Sequence, residues 1–212
     1  MIPDFSLGQK IILWVIPLLF AITVHETAHG WVASKFGDST AKLLGRLTLN
    51  PLKHIDPIGT LIVPAILFSL GGFVFGWAKP VPITWQNLKN PRRDMALVAA
   101  AGPLANFVMA LLWVGIAKIA MRVNSAPFIY MAQIGISINL VLMLLNLIPI
   151  PPLDGSRIMA SFLSPSMAYQ FNKLEVYGFL ILVLLLASGI LARILGPLLQ
   201  GLLSVFFRFF GM

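Results

Sequence analysis

Cysteine is absent from the 212 residues, which removes disulfides, thiolate-bound metals and thiol nucleophiles together. Charge is almost as scarce. Charged residues make up 10% of the chain against 58% hydrophobic, and the mean hydropathy is +0.92, a composition no ordinary soluble domain approaches. Only seven acidic residues and three histidines are present, so any metal must be held by imidazole and carboxylate. Internal repeats and low-complexity linkers are also missing. The chain reads as one integral-membrane domain, 1–212, with a core at about 9–160 and C-terminal helices at about 172–210. The first apolar run is no signal peptide, because its n-region carries only Lys10 and no small-residue cleavage pattern follows.

The formal charge of +8 does not mark a nucleic-acid binder. The fifteen Lys and Arg stand mostly at the ends of apolar segments, as membrane-flanking charges do. Six such segments can be set against the roughly 20 residues a bilayer crossing needs: 10–36, 58–75, 95–120, 127–148, 174–188 and 190–210. The second is interrupted by Pro64 and Gly71-Gly72. If it crosses with the others, six cations face seven and no bias results. If it dips in and returns, Lys35, Lys42, Arg46, Lys53, Lys79, Lys89, Arg92, Arg93, Arg157 and Lys173 share one side, against Lys10, Lys118 and Arg122. The positive-inside rule favours the second arrangement, with the large polar loops in the cytoplasm. The expected fold is therefore all-α and polytopic, with five to six transmembrane segments, one of them re-entrant. Alternation at Gly45-Arg46-Leu47-Thr48-Leu49, with a second extended stretch at 81–84, adds a small membrane-associated β-hairpin or sheet.

Inside the first segment stands His25-Glu26-Thr27-Ala28-His29, preceded by a run, 11–24, without one charge. Ionisable groups at bilayer depth cost about 2.5–3.5 kcal/mol each on insertion scales, so three together need a function. In H-E-x-x-H the histidines lie one helical turn apart and face one ion, and the glutamate is left to act as base toward a water. The metal expected is one zinc ion per chain, and a catalytic zinc site needs a third protein ligand. Asp154, just beyond the apolar run that continues through Asn146 to Pro152, lies at the matching membrane level. Asp56 with His54 is the competing pair.

Taken together, H-E-T-A-H-G at 25–30, Gly102-Pro103-Leu104-Ala105-Asn106 and the stretch from Asn146 to Gly155 resemble the site-2 protease family of intramembrane zinc metalloproteases. Gly45 to Pro51 and His54-Ile55-Asp56-Pro57 are similar to its compact bacterial and archaeal branch, without the PDZ or CBS domains of many relatives. The resemblance implies His25, His29 and Asp154 as zinc ligands, Glu26 as base and proton shuttle, and Asn146 as the group that engages the substrate backbone. It implies a single-span membrane-protein substrate, trimmed beforehand by another protease, and an active site toward the cytoplasmic side of a prokaryotic plasma membrane. Gly102 and Asn106, four residues apart, are read as a helix-packing motif. His54 is read as a loop anchor, with a role beside the metal or in catalysis as the alternative. A transporter and a proteolytically silent zinc scaffold are the rival readings. The first would need ionisable residues on several facing helices, and the second has no use for Glu26.

Overall fold

Ser6 starts the first helix through reciprocal hydrogen bonds with Gln9, Ser6 Oγ accepting from the Gln9 N–H and Gln9 Oε1 accepting from the Ser6 N–H. The computed structural model describes residues 5–69 and 76–210. Helix α1 (Leu7–Lys35) has 29 residues and so spans about 43 Å, more than the hydrocarbon thickness of a bilayer. It stops at Gly37, whose φ of +112° suits a residue without a side chain. A short α2 (Thr40–Leu43) follows.

Two further long helices complete the core. Helix α4 (Pro91–Arg122) begins with Asp94 Oδ2 accepting from the Asn90 N–H at 2.7 Å, and α5 (Ala126–Asn146) returns antiparallel to it. Small buried residues, among them Ala21, Ala99, Gly102, Ala110, Ala117 and Ala132, let α1, α4 and α5 approach closely. Gly135 lies under the Trp113 ring, where an added Cβ would fall 2.4 Å from it. The chain ends in α6 (Asp154–Phe162), α7 (Pro165–Lys173), α8 (Glu175–Ala187) and α9 (Ile190–Phe210). Phe206 of α9 closes the cluster formed by Trp113, Ile136 and Leu140.

The distribution of side chains is inverted relative to a soluble protein. Ile11, Ile12, Trp14, Val15 and Phe20 are exposed on α1, while Thr23, His25, His29, Asn106 and Asn139 are buried between helices. Such a molecule belongs in lipid, with polar groups turned toward each other. Among the described residues four helices are long and apolar enough to cross, α1, α4, α5 and α9, and the α7–α8 pair, bent by 58°, makes a fifth if it is one span.

The second apolar segment is entered and left at neighbouring points among the described residues. It leaves through one turn of π-helix, Pro57–Ile62, and α3 (Val63–Ser69), and the chain is back beside its start by Trp77. The Trp77 N–H donates to the Gly59 carbonyl at 3.1 Å, and the Lys79 N–H donates to the His54 carbonyl at 2.9 Å. The expected turn at Gly71-Gly72 lies outside the described residues.

The expected β-hairpin is not formed: among the described residues there is no strand. Residues 45–49 and 79–84 spend their hydrogen bonds otherwise. Thr27 Oγ1 and His54 Nε2 both donate to the Thr48 carbonyl, and Pro80 and Pro82 have no N–H for a ladder. Asp38 fastens the loops instead, accepting from the Thr40 N–H, the Thr40 hydroxyl, the Thr84 N–H and the Asn87 amide. Burial pushes its carboxyl up, but those four donors outweigh it and hold the group below the usual carboxylate range.

Candidate metal centre

Two helices, α1 and α6, bring His25, His29 and Asp154 together. The histidines face one way from α1 because they are one turn apart. Asp154 opens α6, which can tuck beneath the end of α5 only because residue 155 is glycine: a Cβ there would meet the Leu147 and Ile148 carbonyl oxygens at 2.3 and 2.5 Å. His25 Nε2 and His29 Nε2 lie 3.1 Å apart. Asp154 Oδ2 is 3.2 Å from the first and 3.3 Å from the second.

The protons on these rings follow from their other nitrogens. Asn106 donates through Nδ2 to the Ala21 carbonyl and to Asn139 Oδ1, which leaves its Oδ1 as the acceptor for His25 Nδ1 at 2.6 Å. His29 Nδ1 stands 2.7 Å from the Val98 carbonyl, which can only accept. Both histidines therefore carry their proton on Nδ1 and turn a lone pair at Nε2 inward. Asp154 Oδ2 is buried and has no hydrogen-bond partner. With both imidazoles neutral, two lone pairs and a carboxylate oxygen converge, an arrangement that a cation stabilises. Zinc–nitrogen bonds of about 2.0–2.1 Å at tetrahedral angles place ligand atoms about 3.3 Å apart, so the donor set fits zinc in kind and spacing. Among the described residues this is the one group of three such donors.

Glu26, beside His25 on α1, accepts from the Val81 N–H through Oε2 at 2.7 Å. Gly30 makes room for that approach, since a Cβ there would stand 2.9 Å from Val81 Cγ1. Gly102 and Asn106 do more than pack helices. A Cβ on Gly102 would fall 2.4 Å from His29 Nε2 and 2.5 Å from His25 Cε1, and Asn106 orients His25.

His54 is not among the three converging donors, and Asn146 is bonded within its own helix. Buried His54 donates from Nε2 to the Thr48 carbonyl at 2.9 Å, so it anchors the loop whose same carbonyl accepts from Thr27. Asp56 caps the following turn by accepting from the Ile58 and Gly59 N–H groups. Neither His54 nor Asp56 is among the three converging donors. Asn146 turns its Nδ2 back to the Leu142 carbonyl of α5. The Val98 carbonyl, the Val81 N–H and Asn139 were not legible as site groups, although an asparagine within the apolar α5 carries some signal of its own.

Comparison with known proteins agrees with this chemistry. The family model for peptidase family M50 matches residues 13–123 and 113–188. YwhC of Bacillus subtilis is 42% identical over 193 residues, covering 88% of this chain and 85% of its own. Rip2 of Mycolicibacterium smegmatis is 34% identical over 184 residues, covering 86% and 69%; both names include the words zinc metalloprotease. Zinc metalloprotease MJ0392 of Methanocaldococcus jannaschii is 25% identical over 168 residues, 77% of this chain and 39% of its own. No solved structure gives a significant match. The chain belongs to peptidase family M50, the site-2 proteases, and is a zinc metalloendopeptidase of the membrane.

Proposed function

We propose that this enzyme cuts a peptide bond within or near the transmembrane helix of a single-span membrane protein, after another protease has trimmed that substrate. The observation that carries this reading is the position of the three converging donors. Two of them, His25 and His29, stand on a membrane-length helix about 15 and 9 Å from its Lys35 end, so only a bond at or near the membrane can reach them.

His25, His29 and Asp154 hold the metal. Bound there, zinc supplies Lewis acidity to a water and to a peptide carbonyl. Glu26 takes the proton of the attacking water and returns it to the leaving amine. Its Oε2 is occupied by the Val81 N–H, so Oε1, which takes no hydrogen bond among the described residues, is the oxygen that handles the proton. Asn146 engages the substrate backbone near the scissile bond, which requires its amide to leave the Leu142 carbonyl. A helical substrate hides its own carbonyls, so it must unwind before cleavage. Residues 45–49 and 79–84 are the backbone against which the opened segment lies, as an added strand would. The cation-rich loops favour the cytoplasm for this side of the protein by the positive-inside rule, and water enters from there.

The test is cleavage of a single-span substrate in reconstituted membranes by wild type and Glu26→Gln. Wild type should cut, and the variant should bind zinc and leave the substrate intact. Undiminished cutting by Glu26→Gln would overturn the assignment of the base.

A further inference from the structure

The peptide unit that holds Glu26 is itself held. Its N–H, from Val81, donates to Glu26 Oε2 at 2.7 Å. Its carbonyl, from Pro80, accepts from the Arg46 guanidinium at 3.3 Å, and the same nitrogen donates to the Lys79 carbonyl at 2.9 Å. One amide therefore bridges a cation and a carboxylate. Val81 has a proline on each side, so its N–H is the single backbone donor in 80–82.

We infer that Arg46 is a positioning residue for Glu26, acting through the Pro80–Val81 peptide. The inference rests on the proposed role of Glu26 as base. Arg46 is itself set by the loop after α2: Gly45 adopts φ +63°, and the Arg46 N–H donates to the Ala41 carbonyl at 2.8 Å. From there a cationic donor on the Pro80 oxygen does two things. It fixes the rotation of the peptide plane, and it polarises the amide so that the opposite N–H binds a carboxylate more strongly. The Glu26 carboxylate is then presented with one oxygen tied and the other turned to the reaction. Without Arg46, the Lys79 and Pro80 carbonyls lose the guanidinium, and the peptide is free to rotate away from Glu26.

Steady-state cleavage by the full-length enzyme in lipid nanodiscs, with zinc content measured on the same samples, tests this. Arg46→Ala should lower kcat about 10- to 100-fold, the range for groups that support a metal-site residue from outside. KM should stay within about twofold and zinc at the wild-type level. Arg46→Lys, which keeps a charged donor without the fork, should fall between the two. Val81→Pro removes the N–H itself and should match Arg46→Ala, and the double variant should lose no more than either single one. Wild-type kcat in Arg46→Ala overturns the inference, as does a loss carried by KM or by zinc release. If Glu26→Gln cuts as well as wild type, the failure belongs to the proposed mechanism. If Glu26→Gln is inactive and Arg46→Ala is not, it belongs to Arg46 alone.

Discussion

His25 Nδ1 and Asn106 Oδ1 are 2.6 Å apart, across the contact between α1 and α4. That bond gives His25 its tautomer and aims its Nε2, and Asn106 is in turn fixed by Ala21 and Asn139. Asn106→Ala should therefore weaken zinc binding about 10- to 100-fold, as loss of a partner behind a metal-binding histidine does. Competition with a graded series of chelators measures it. Zinc affinity equal to wild type would mean that α1 alone orients the ring.

Three glycine-to-alanine changes separate room at the metal from room elsewhere. At Gly102 the new Cβ would fall against both imidazoles, and at Gly155 against the Leu147 and Ile148 carbonyl oxygens beneath Asp154. At Gly115, in the same helix as Gly102, nothing lies within 4 Å. Zinc stoichiometry of the purified variants should drop for the first two and hold for the third. Full zinc in Gly102→Ala would show that the helices can part without disturbing the ligands.

His54 is placed by its hydrogen bond to the Thr48 carbonyl, with no part in the group of zinc donors. His54→Ala should keep one zinc per chain and unfold at lower temperature, because a half-buried carbonyl loses one of its two donors. Loss of zinc with an unchanged melting temperature would reverse that assignment.

Asp38 gives the loops their pH dependence. Its carboxyl is held below the ordinary range, so the stability it contributes is present in full above the unfolded-state value of about 4 and is lost as pH falls through its own lower value. At pH 7 Asp38→Asn should be less stable than wild type by about 1–3 kcal/mol, the scale of hydrogen bonds to a charged group. The difference should shrink as pH is lowered below about 4. Denaturation followed at both pH values checks this, and a gap that widens in acid would contradict the sign.

What the sequence makes legible here follows the range of the interactions. His25 and His29 are visible because a helix turn is local. The pairing of Trp77 with Gly59 agrees with the re-entry expected from where Lys79, Arg92 and Arg157 must lie. Asn106 looked like helix packing, since its bond to His25 depends on how α1 and α4 register, and that is set by small residues 80 positions apart. The Val81 N–H and the Val98 carbonyl have no residue-type signature at all. The hairpin expectation is unconfirmed at Thr48, where alternation suggested a strand while side chains of Thr27 and His54 bond to its carbonyl.

Topology gives the remaining prediction, and the lack of native cysteine makes it clean. Trp77 returns to Gly59, whereas Asn124 follows α4, a helix of 32 residues. That helix spans about 48 Å, enough to carry its ends to opposite faces of a bilayer. Single cysteines at positions 77 and 124 should therefore react with a membrane-impermeant maleimide from opposite sides, position 77 from the cytoplasm and position 124 from outside. A cysteine at position 89 should share the side of position 77, because only an unspanned loop separates them. Labelling of 77 and 124 from one side would require the second segment to cross, and would put the cations of 35–53 and 79–93 on opposite faces.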